Sequence, residues 1–180
     1  MNRTFIRHPS PEDEREFIAL AARSALFHRP WMSPPTDREG FRGYLESLGG
    51  ERKVGFLVCL KESGEIVGMV NLNEITRGAL QSAYLGYWIG SPYAGQGYMA
   101  EGLGQVIGVA FQELGLHRLE ANIQPANARS IGLVKRLGFT REGFSRRYLM
   151  VDGDWRDHER WAILSEDWAE QRSTGAAHER

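Results

Sequence analysis

The feature that most constrains the fold is an apolar run that leads directly into a glycine-containing loop and then into a helical pattern. The run SAYLGYWIG (82–90) is apolar on both faces, which is typical of a central strand covered on both sides. The loop SPYAGQGYMAEG (91–102) follows, and apolar residues then recur at helical spacing until Gly115. A buried strand, a glycine turn and a helix in direct succession indicate an α/β domain.

The loop itself admits two interpretations. Glycine is common wherever a strand turns sharply, so a plain turn is one of them. The other is a cradle for an anion, because a helix N-terminus presents unpaired N–H groups, and Gly95 and Gly97 have no Cβ to keep a diphosphate away. Two nucleotide-binding patterns are absent: GxxxxGK[ST] does not occur, and GxGxxG fails at Ala100. We favour a cradle of backbone amides over a plain turn.

The helix after the loop, roughly 98–114, contains two further glycines. Gly104 and Gly108 each cost about 1 kcal/mol relative to alanine in a helix interior. Because they are four residues apart, they share one face of the helix. This spacing predicts a close approach to a neighbouring strand or ligand.

Three other helices have recognisable start signals. Ser10, with a proline and acids after it, predicts a helix over 10–27. Thr36 and Glu39 form a capping box for a second helix, and Asn127 caps a short third one.

The remaining apolar runs are rich in β-forming residues and are bounded by turn signals. They predict strands at TFIRH (4–8), KVGFLVCL (53–60), EIVGMVNLNEI (65–75), HRLEANIQ (117–124), FTREGFSRRYLMV (139–151) and DWRDHERWAIL (154–164). The order of elements predicts a mixed α/β domain whose first half is largely antiparallel. We expect one domain over residues 1–168 and a polar, frayed tail over 169–180.

Composition excludes several classes of protein. The 180 residues carry a formal net charge of −1, so no overall field favours nucleic acid or an anionic membrane. The N-terminus has no apolar signal segment, and FLVCL (56–60) is too short to cross a bilayer. A single cysteine, Cys59, cannot form a disulfide within the chain, which predicts a reducing cytoplasm. The histidines lack ligand spacing, so no metal site is predicted.

Longer stretches resemble a known family. LGYWIGSPYAGQGYMAEGL (85–103), followed by HRLEANIQPANARSIGLVKRLGFTREG (117–143), is similar to the GNAT acyl-CoA N-acetyltransferases. The pattern at Asn127, Ser130, Gly138 and Phe139 resembles the Rim-type branch, which acetylates the N-termini of ribosomal proteins. The same branch is resembled by three shorter stretches, RPW at 29–31, EG at 142–143 and DGDWRDH at 152–158. Over most of residues 3–165 the chain resembles ribosomal-protein-alanine N-acetyltransferases of the RimJ kind. The resemblance implies a largely antiparallel central sheet flanked by helices.

The resemblance also implies acetyl-CoA as the acetyl donor and no metal. The family loop motif, [Q/R]-x-x-G-x-[G/A], aligns with residues 94–99, of which Gln96 is one, and assigns the phosphate-facing amides to Gly95, Gly97, Tyr98 and Met99. Two residues depart from the motif. Ala94 replaces Gln or Arg, and Met99 replaces Gly or Ala. Since the donors are backbone groups, we expect the chemistry to survive both changes, with the Met99 side chain pointing away from the phosphates.

Further roles follow from the same resemblance. A backbone N–H near Trp88–Ile89 is expected to polarise the thioester carbonyl, unless these residues only pair with a neighbouring strand. Asn127 is expected to bond the amide groups of the cofactor as well as cap its helix. Trp31 is a candidate wall of the amine pocket, or an aromatic that anchors its loop.

The two proton-transfer roles are less well defined by the sequence. Ser130 matches the Rim-type general acid that protonates the departing thiolate, although serine in a first helical turn is also ordinary; Tyr148 is the second candidate. RimL-type enzymes carry a glutamate on the strand after EG, but RRYLMV (146–151) contains no acid. A water relay to Glu74 is the alternative base, and a solvated strand-end carboxylate is the other interpretation of Glu74.

The resemblance therefore implies direct acetyl transfer to an amine, with the N-terminal alanine or serine of a ribosomal protein as the acceptor. Two rival functions remain: acetylation of a small amine such as an aminoglycoside, an amino acid or a polyamine, and a catalytically silent CoA-binding regulatory module. Direct binding to nucleic acid or to a membrane is not expected. The sequence leaves the oligomeric state, monomer or homodimer, open.

Overall fold

A computed structural model describes residues 2–177 of the chain. The strands are β1 (Thr4–Arg7), β2 (Val54–Leu60), β3 (Ile66–Thr76), β4 (Ser82–Ile89), β5 (Arg118–Ile123), β6 (Thr140–Val151) and β7 (Asp154–Leu164). The helices are α1 (Glu14–Arg23), α2 (Ala25–His28), α3 (Arg38–Ser47), α4 (Tyr98–Gln112), α5 (Ala128–Arg136) and α6 (Ser165–Ala177).

The strands form one sheet in the order β1-β2-β3-β4-β5-β7-β6. Within the described residues β4 and β5 are the one pair that runs parallel, and every other neighbouring pair is antiparallel. The predicted mixed α/β fold, with a largely antiparallel sheet, is confirmed, and the glycine-loop strand β4 is its middle strand.

The parallel pair is joined along only part of its length. The register matches Ser82 with Arg118 and ends at Tyr84 opposite Glu120. Both strands continue past this point, and no further pairs join them in the described part of the chain. We call the resulting opening the β4–β5 gap, and its edges carry backbone groups that no strand partner uses.

Helices cover both faces of the sheet, because successive side chains on a strand point to opposite sides. On β2, Val58 packs in the core under α4 and α5, whereas Leu57 packs in the core under α1 and α3. Both side chains are fully buried. None of the helices that the structure describes has the length and apolarity needed to cross a bilayer.

Close packing of α4 against the sheet occurs at a glycine other than the two predicted. A Cβ on Gly102 would lie 2.5 Å from a methyl carbon of Val58, so only glycine fits there. A Cβ on Gly104 would make ordinary contacts with Trp168 and Leu137, and one on Gly108 would meet open space. The prediction of a close approach through Gly104 and Gly108 is therefore wrong. The close approach is made by Gly102, about half a helical turn before Gly104.

Two local predictions about helices also need correction. The helix predicted over 10–27 is a short 3-10 turn followed by α1 and α2, and the break comes at Ser24, whose hydroxyl accepts the amide of Ser91 at 2.9 Å. Helix α3 is capped by Asp37, which accepts from Gly40 N–H at 2.8 Å, so the cap is not Thr36.

The tail that was expected to be frayed is helical up to Ala177. Helix α6 continues to Ala177, and Trp168 within it packs against the main core. The end of the predicted tail, residues 178–180, lies outside the described residues.

Candidate active site

The loop before α4 presents a row of free backbone amides. Gly95 and Gly97 have φ values of 77° and 86°, in the left-handed region where glycine is favoured. Within residues 2–177, no protein acceptor receives the N–H groups of Gly95, Gly97, Tyr98 or Met99. We call these four donors the amide cradle. With the N-terminus of a helix of 15 residues behind it, the cradle can bind an anion.

Other contacts hold the loop in this shape. Arg3 donates to Gln96 O at 2.8 Å, and its guanidinium lies 4.5 Å from the centre of the Tyr98 ring. Gln96 donates its side-chain amide to Pro92 O at 2.9 Å. The side chains of Gln96 and Tyr98 therefore brace the loop, and the backbone is left to face a ligand.

The Met99 side chain points into the core, as the sequence analysis expected. A Cβ on Gly68 would lie 2.8 Å from its methyl carbon, which shows that Met99 reaches across to β3. Met99 is 7% exposed. The departure from the family motif thus leaves the cradle unobstructed.

A cavity of about 560 Å³, the first cavity, opens beside the cradle. Its wall includes Gly95, Gly97 and Met99 from the loop and Trp88 and Ile89 from β4. Helix α5 contributes Asn127, Ser130, Arg129 and Arg136, of which the two arginines were not singled out from the sequence. Their seven-residue spacing on one helical face was the available signal. An anion of extended shape would meet positive charge on both sides of this cavity.

The amide of Ile89 faces the β4–β5 gap. Gly90 N–H donates to Val67 O at 2.7 Å on β3, and the antiparallel ladder alternates, so the amide of Trp88 also belongs to β3 and that of Ile89 points away. The N–H and C=O of one strand residue point to the same edge. The C=O of Ile89 also points away from β3, because it accepts a hydrogen bond from His28 Nε2 at 2.9 Å. Of the two predicted donors, only Ile89 has an N–H free for a carbonyl oxygen.

Ser130 is held against β4 by a hydrogen bond that the sequence analysis missed. Its Oγ lies 2.6 Å from the Tyr87 hydroxyl. Burial raises the pKa of Tyr87 to about 12, and the bond from Ser130 opposes part of that rise. Tyr87 therefore stays protonated at neutral pH, so the pair keeps a proton that it can share.

Asn127 is confirmed as the N-cap of α5. Its Oδ1 accepts from Ser130 N–H at 3.2 Å. This bond fixes the first turn of α5 and with it the position of Ser130. Since the cap uses the oxygen, the NH₂ group of Asn127 is the part that can bond a ligand.

A second cavity of about 380 Å³ adjoins the first. The two share the walls formed by Trp31, Met32, Tyr87, Asn127 and Ser130. The second cavity also borders the β4–β5 gap, because residues 84–87 of β4 and 121–123 of β5 line it. Tyr87 and Ser130 thus stand where the two cavities meet, and Trp31 lies at the same junction.

Glu74 and Tyr148 line the second cavity but not the first. The carboxylate of Glu74 is exposed and forms an ion pair with the guanidinium of Arg52, which competes for its lone pairs. Tyr148 packs its ring against that of His158, with centroids 6.3 Å apart. In the described residues, no group of three or more His, Cys, Asp or Glu side chains is arranged to hold a metal ion.

The chain is similar to known N-acetyltransferases and probable N-acetyltransferases over most of its length. The sequence model of the acetyltransferase (GNAT) domain family matches residues 3–140. The probable N-acetyltransferase YjcK of Bacillus subtilis is 36% identical, over 91% of this chain and 94% of that protein. The [ribosomal protein uS5]-alanine N-acetyltransferase of Escherichia coli is 33% identical, over 95% of this chain and 92% of that protein.

A solved structure agrees. RimJ of Mycobacterium smegmatis, in complex with CoA-disulfide, matches with a TM-score of 0.84 and 29% identity, covering 96% of this chain and 89% of that one. The loop, the two cavities and these matches lead to one conclusion. The chain belongs to the GNAT acetyltransferase family and is an N-acetyltransferase.

Proposed function

We propose that this enzyme transfers the acetyl group of acetyl-CoA to the N-terminal α-amine of a protein, with a ribosomal protein beginning in alanine or serine as the acceptor. The charge of the second cavity is the observation that supports this class of acceptor. Among the described residues that line it, Glu74 is the one carboxylate, and Arg52 already compensates it. The reaction would take place in the cytoplasm, where ribosomal proteins are made.

The residues present fit acetyl-CoA as the donor. The amide cradle suits a diphosphate, and Arg129 and Arg136 add positive charge on the facing helix. The Ile89 N–H faces the gap at the strand edge, where it can donate to a thioester carbonyl. Acetyl-CoA supplies an activated acetyl group and a thiolate leaving group, and the protein supplies the hydrogen bonds that hold them.

Ser130 and Tyr87 are proposed to provide the proton that the thiolate takes up. The two hydroxyls lie at the junction of the cavities, which is where a donor and an acceptor would meet. Tyr148, the second candidate from the sequence, borders only the second cavity. Ser130 is thus the better placed of the two.

The weak negative charge of the second cavity argues against a polycationic acceptor. Polyamines and aminoglycosides carry several ammonium groups at neutral pH, and a pocket selective for them would need several unpaired carboxylates. An N-terminal α-amine carries a single charge and has an ordinary pKa of about 7.7–8.0, so an appreciable fraction is neutral near pH 7. Such an acceptor suits a cavity with few acids.

Mass spectrometry of acetylated ribosomal proteins tests this function. The enzyme would be incubated with deacetylated ribosomal proteins and isotopically labelled acetyl-CoA, and intact masses and N-terminal peptides would be measured. We expect one labelled acetyl group on an N-terminal alanine or serine. Spermidine and an aminoglycoside serve as parallel acceptors, and faster labelling of either would overturn the proposal.

A further inference from the structure

We infer that His158 is the catalytic base, and that its Nε2 accepts the proton that the acceptor amine loses on attacking the acetyl group. This inference rests on the proposed function and supplies the base that the sequence left unidentified. His158 belongs to the DGDWRDH segment, to which the sequence analysis gave no chemical role.

The hydrogen bonding of His158 fixes which nitrogen is available. Its Nδ1 lies 2.9 Å from Arg156 O, and a carbonyl oxygen can only accept, so Nδ1 carries the hydrogen. In the neutral ring the lone pair is then on Nε2. No protein partner for Nε2 occurs among the described residues, although the ring is 3% exposed.

The free nitrogen is open to the second cavity. Some polar side-chain atoms of the described residues are both fully buried and without a partner, but Nε2 of His158 is not one of them. Because it has no partner, it must be accessible from open space. His158 lines the second cavity. On β7 the residue lies next to Glu159, where pairing with β5 ends opposite Ile123, so the strand edge beside His158 is uncovered.

The other polar groups of this cavity are less suited to take a proton. Glu74 at the end of β3 is engaged by Arg52. Helix α5 and its N-cap contribute only neutral side chains, Ser130 and Asn127, and the β5 residues that line the cavity are neutral as well. Tyr84 and Tyr87 from β4 and Tyr148 from β6 carry the remaining titratable groups.

The electrostatic surroundings keep His158 neutral. Burial lowers its pKa, while the bond to Arg156 O and the neighbouring Asp157 carboxylate oppose that shift without reversing it. The Tyr148 hydroxyl, followed by burial, raises the pKa of Tyr84 to about 12, so Tyr84 does not ionise near neutral pH. A neutral imidazole is the form that accepts a proton.

The step balances with the groups already described. The amine nitrogen forms a bond to the acetyl carbon, the carbon–sulfur bond breaks, and the sulfur leaves with the electron pair. The amine proton passes to His158 Nε2, and the thiolate takes a proton from the Ser130–Tyr87 pair. Buffer then exchanges one proton at each site, so no oxidant or further reactant is required.

A pH profile of peptide acetylation tests the inference in the unmodified enzyme. With saturating acetyl-CoA and a peptide that begins with alanine, the acceptor amine alone lowers kcat below its pKa of about 7.7–8.0, and we expect the titration of a second group to add a further acidic limb. His158→Gln, which keeps a polar atom near the Nε2 position but cannot accept a proton, should lose this acidic limb. It should also lose roughly 100-fold in kcat. The acetyl-CoA dissociation constant should be unchanged.

Two further variants separate a chemical role from a structural one. His158→Ala should regain activity when imidazole is added, and the regained rate should increase with the basicity of substituted imidazoles. His117→Gln is the matched control, because His117 is exposed, contacts Glu166 and lines neither cavity. It should behave as the wild type.

Each result has a defined meaning. A wild-type kcat with no acidic limb beyond that of the acceptor amine, or a folded His158→Gln variant with wild-type kcat, overturns the assignment of His158 alone. So does a slow His158→Ala variant that imidazole fails to rescue. A wild-type enzyme that leaves the peptide unmodified overturns the proposed function itself.

Discussion

The hydroxyl oxygens of Tyr87 and Ser130 lie 2.6 Å apart, although 43 positions separate them in the chain. This bond joins the free edge of β4 to the first turn of α5, at the point where the two cavities meet. It therefore connects the position of the proposed acid to the position of the strand that supplies the Ile89 amide.

Replacing Ser130 with alanine tests its role as the acid. We expect kcat to fall by roughly 100-fold, which is within the range for loss of a positioned proton donor. The dissociation constant of acetyl-CoA should change little, because the cradle is untouched. Steady-state kinetics and calorimetric titration give the two quantities, and Ser63→Ala, at an exposed hairpin, is the control. A Ser130→Ala enzyme with unchanged kcat removes this residue from the mechanism.

The amide cradle depends on left-handed glycines. In Gly95→Ala the side chain meets open space, so the substitution disturbs only the backbone conformation, at a cost of about 1–2 kcal/mol. The free loop will relax, and acetyl-CoA must restore its shape on binding. We expect roughly tenfold weaker binding of acetyl-CoA, measured by calorimetry, since tenfold corresponds to about 1.4 kcal/mol.

Gly64→Ala is the matched control for this test. Gly64 also has a left-handed φ and open space around its Cβ position, but it lies in the β2–β3 hairpin. It should lower the melting temperature without changing acetyl-CoA affinity. Equal binding losses in both variants would count against the cradle.

Two glycines of α4 should respond to alanine in opposite directions. Gly102→Ala forces a methyl group into Val58 and should destabilise the protein by about 1–3 kcal/mol. Gly108→Ala has open space and should stabilise it by about 0.5–1 kcal/mol through its helix propensity. Chemical denaturation of the two variants checks the pair. A Gly102→Ala protein as stable as Gly108→Ala would contradict the packing of α4 on β2.

The ion pair of Asp13 predicts a specific acid sensitivity. Burial opposes the charge of this carboxylate, but bonds from Arg7 at 2.8 and 2.6 Å and from Ser10 N–H outweigh it and hold its pKa below the ordinary value. A lowered folded pKa contributes stability that is present above the unfolded value, near 3.9, and that disappears as pH falls through the folded value. Asp13→Asn should therefore cost about 2 kcal/mol at pH 7.

Thermal unfolding at pH 7 and near pH 3 measures this difference. The gap in melting temperature between wild type and Asp13→Asn should narrow at the lower pH. Asp154→Asn is the control, because the Asp154 carboxylate is exposed and its pair with Arg156 is screened by solvent. A gap of the same size at both pH values would show that the charge of Asp13 is not what stabilises the fold.

Local signals predicted much of the fold. The strand, loop and helix around Gly95 and Gly97 were readable because a buried strand, φ-permissive residues and helical periodicity follow one another directly. The cap at Asn127 could be predicted because an asparagine directly before a helix accepts a hydrogen bond from a backbone N–H of the first turn. Thr36 and Asp37 are both good caps, so sequence could not choose between neighbours.

The parts that sequence missed depend on distant contacts. Tyr87 gives no sign of its bond to Ser130, because the β4–β5 gap that brings them together appears only when the sheet is assembled. The break at Ser24 likewise depends on an amide from the loop after β4. Trp168, which anchors α6 on the core, was a visible signal directly before the predicted polar tail.

The partial pairing of β4 with β5 also has a kinetic implication. Because the strands separate after Tyr84, the two substrates can occupy adjoining chambers at once and meet across one shared wall. Neither has to leave before the other arrives, so no acetylated form of the protein is needed along the way. Double-reciprocal plots at several fixed levels of the second substrate should therefore intersect, as for a ternary complex, instead of running parallel.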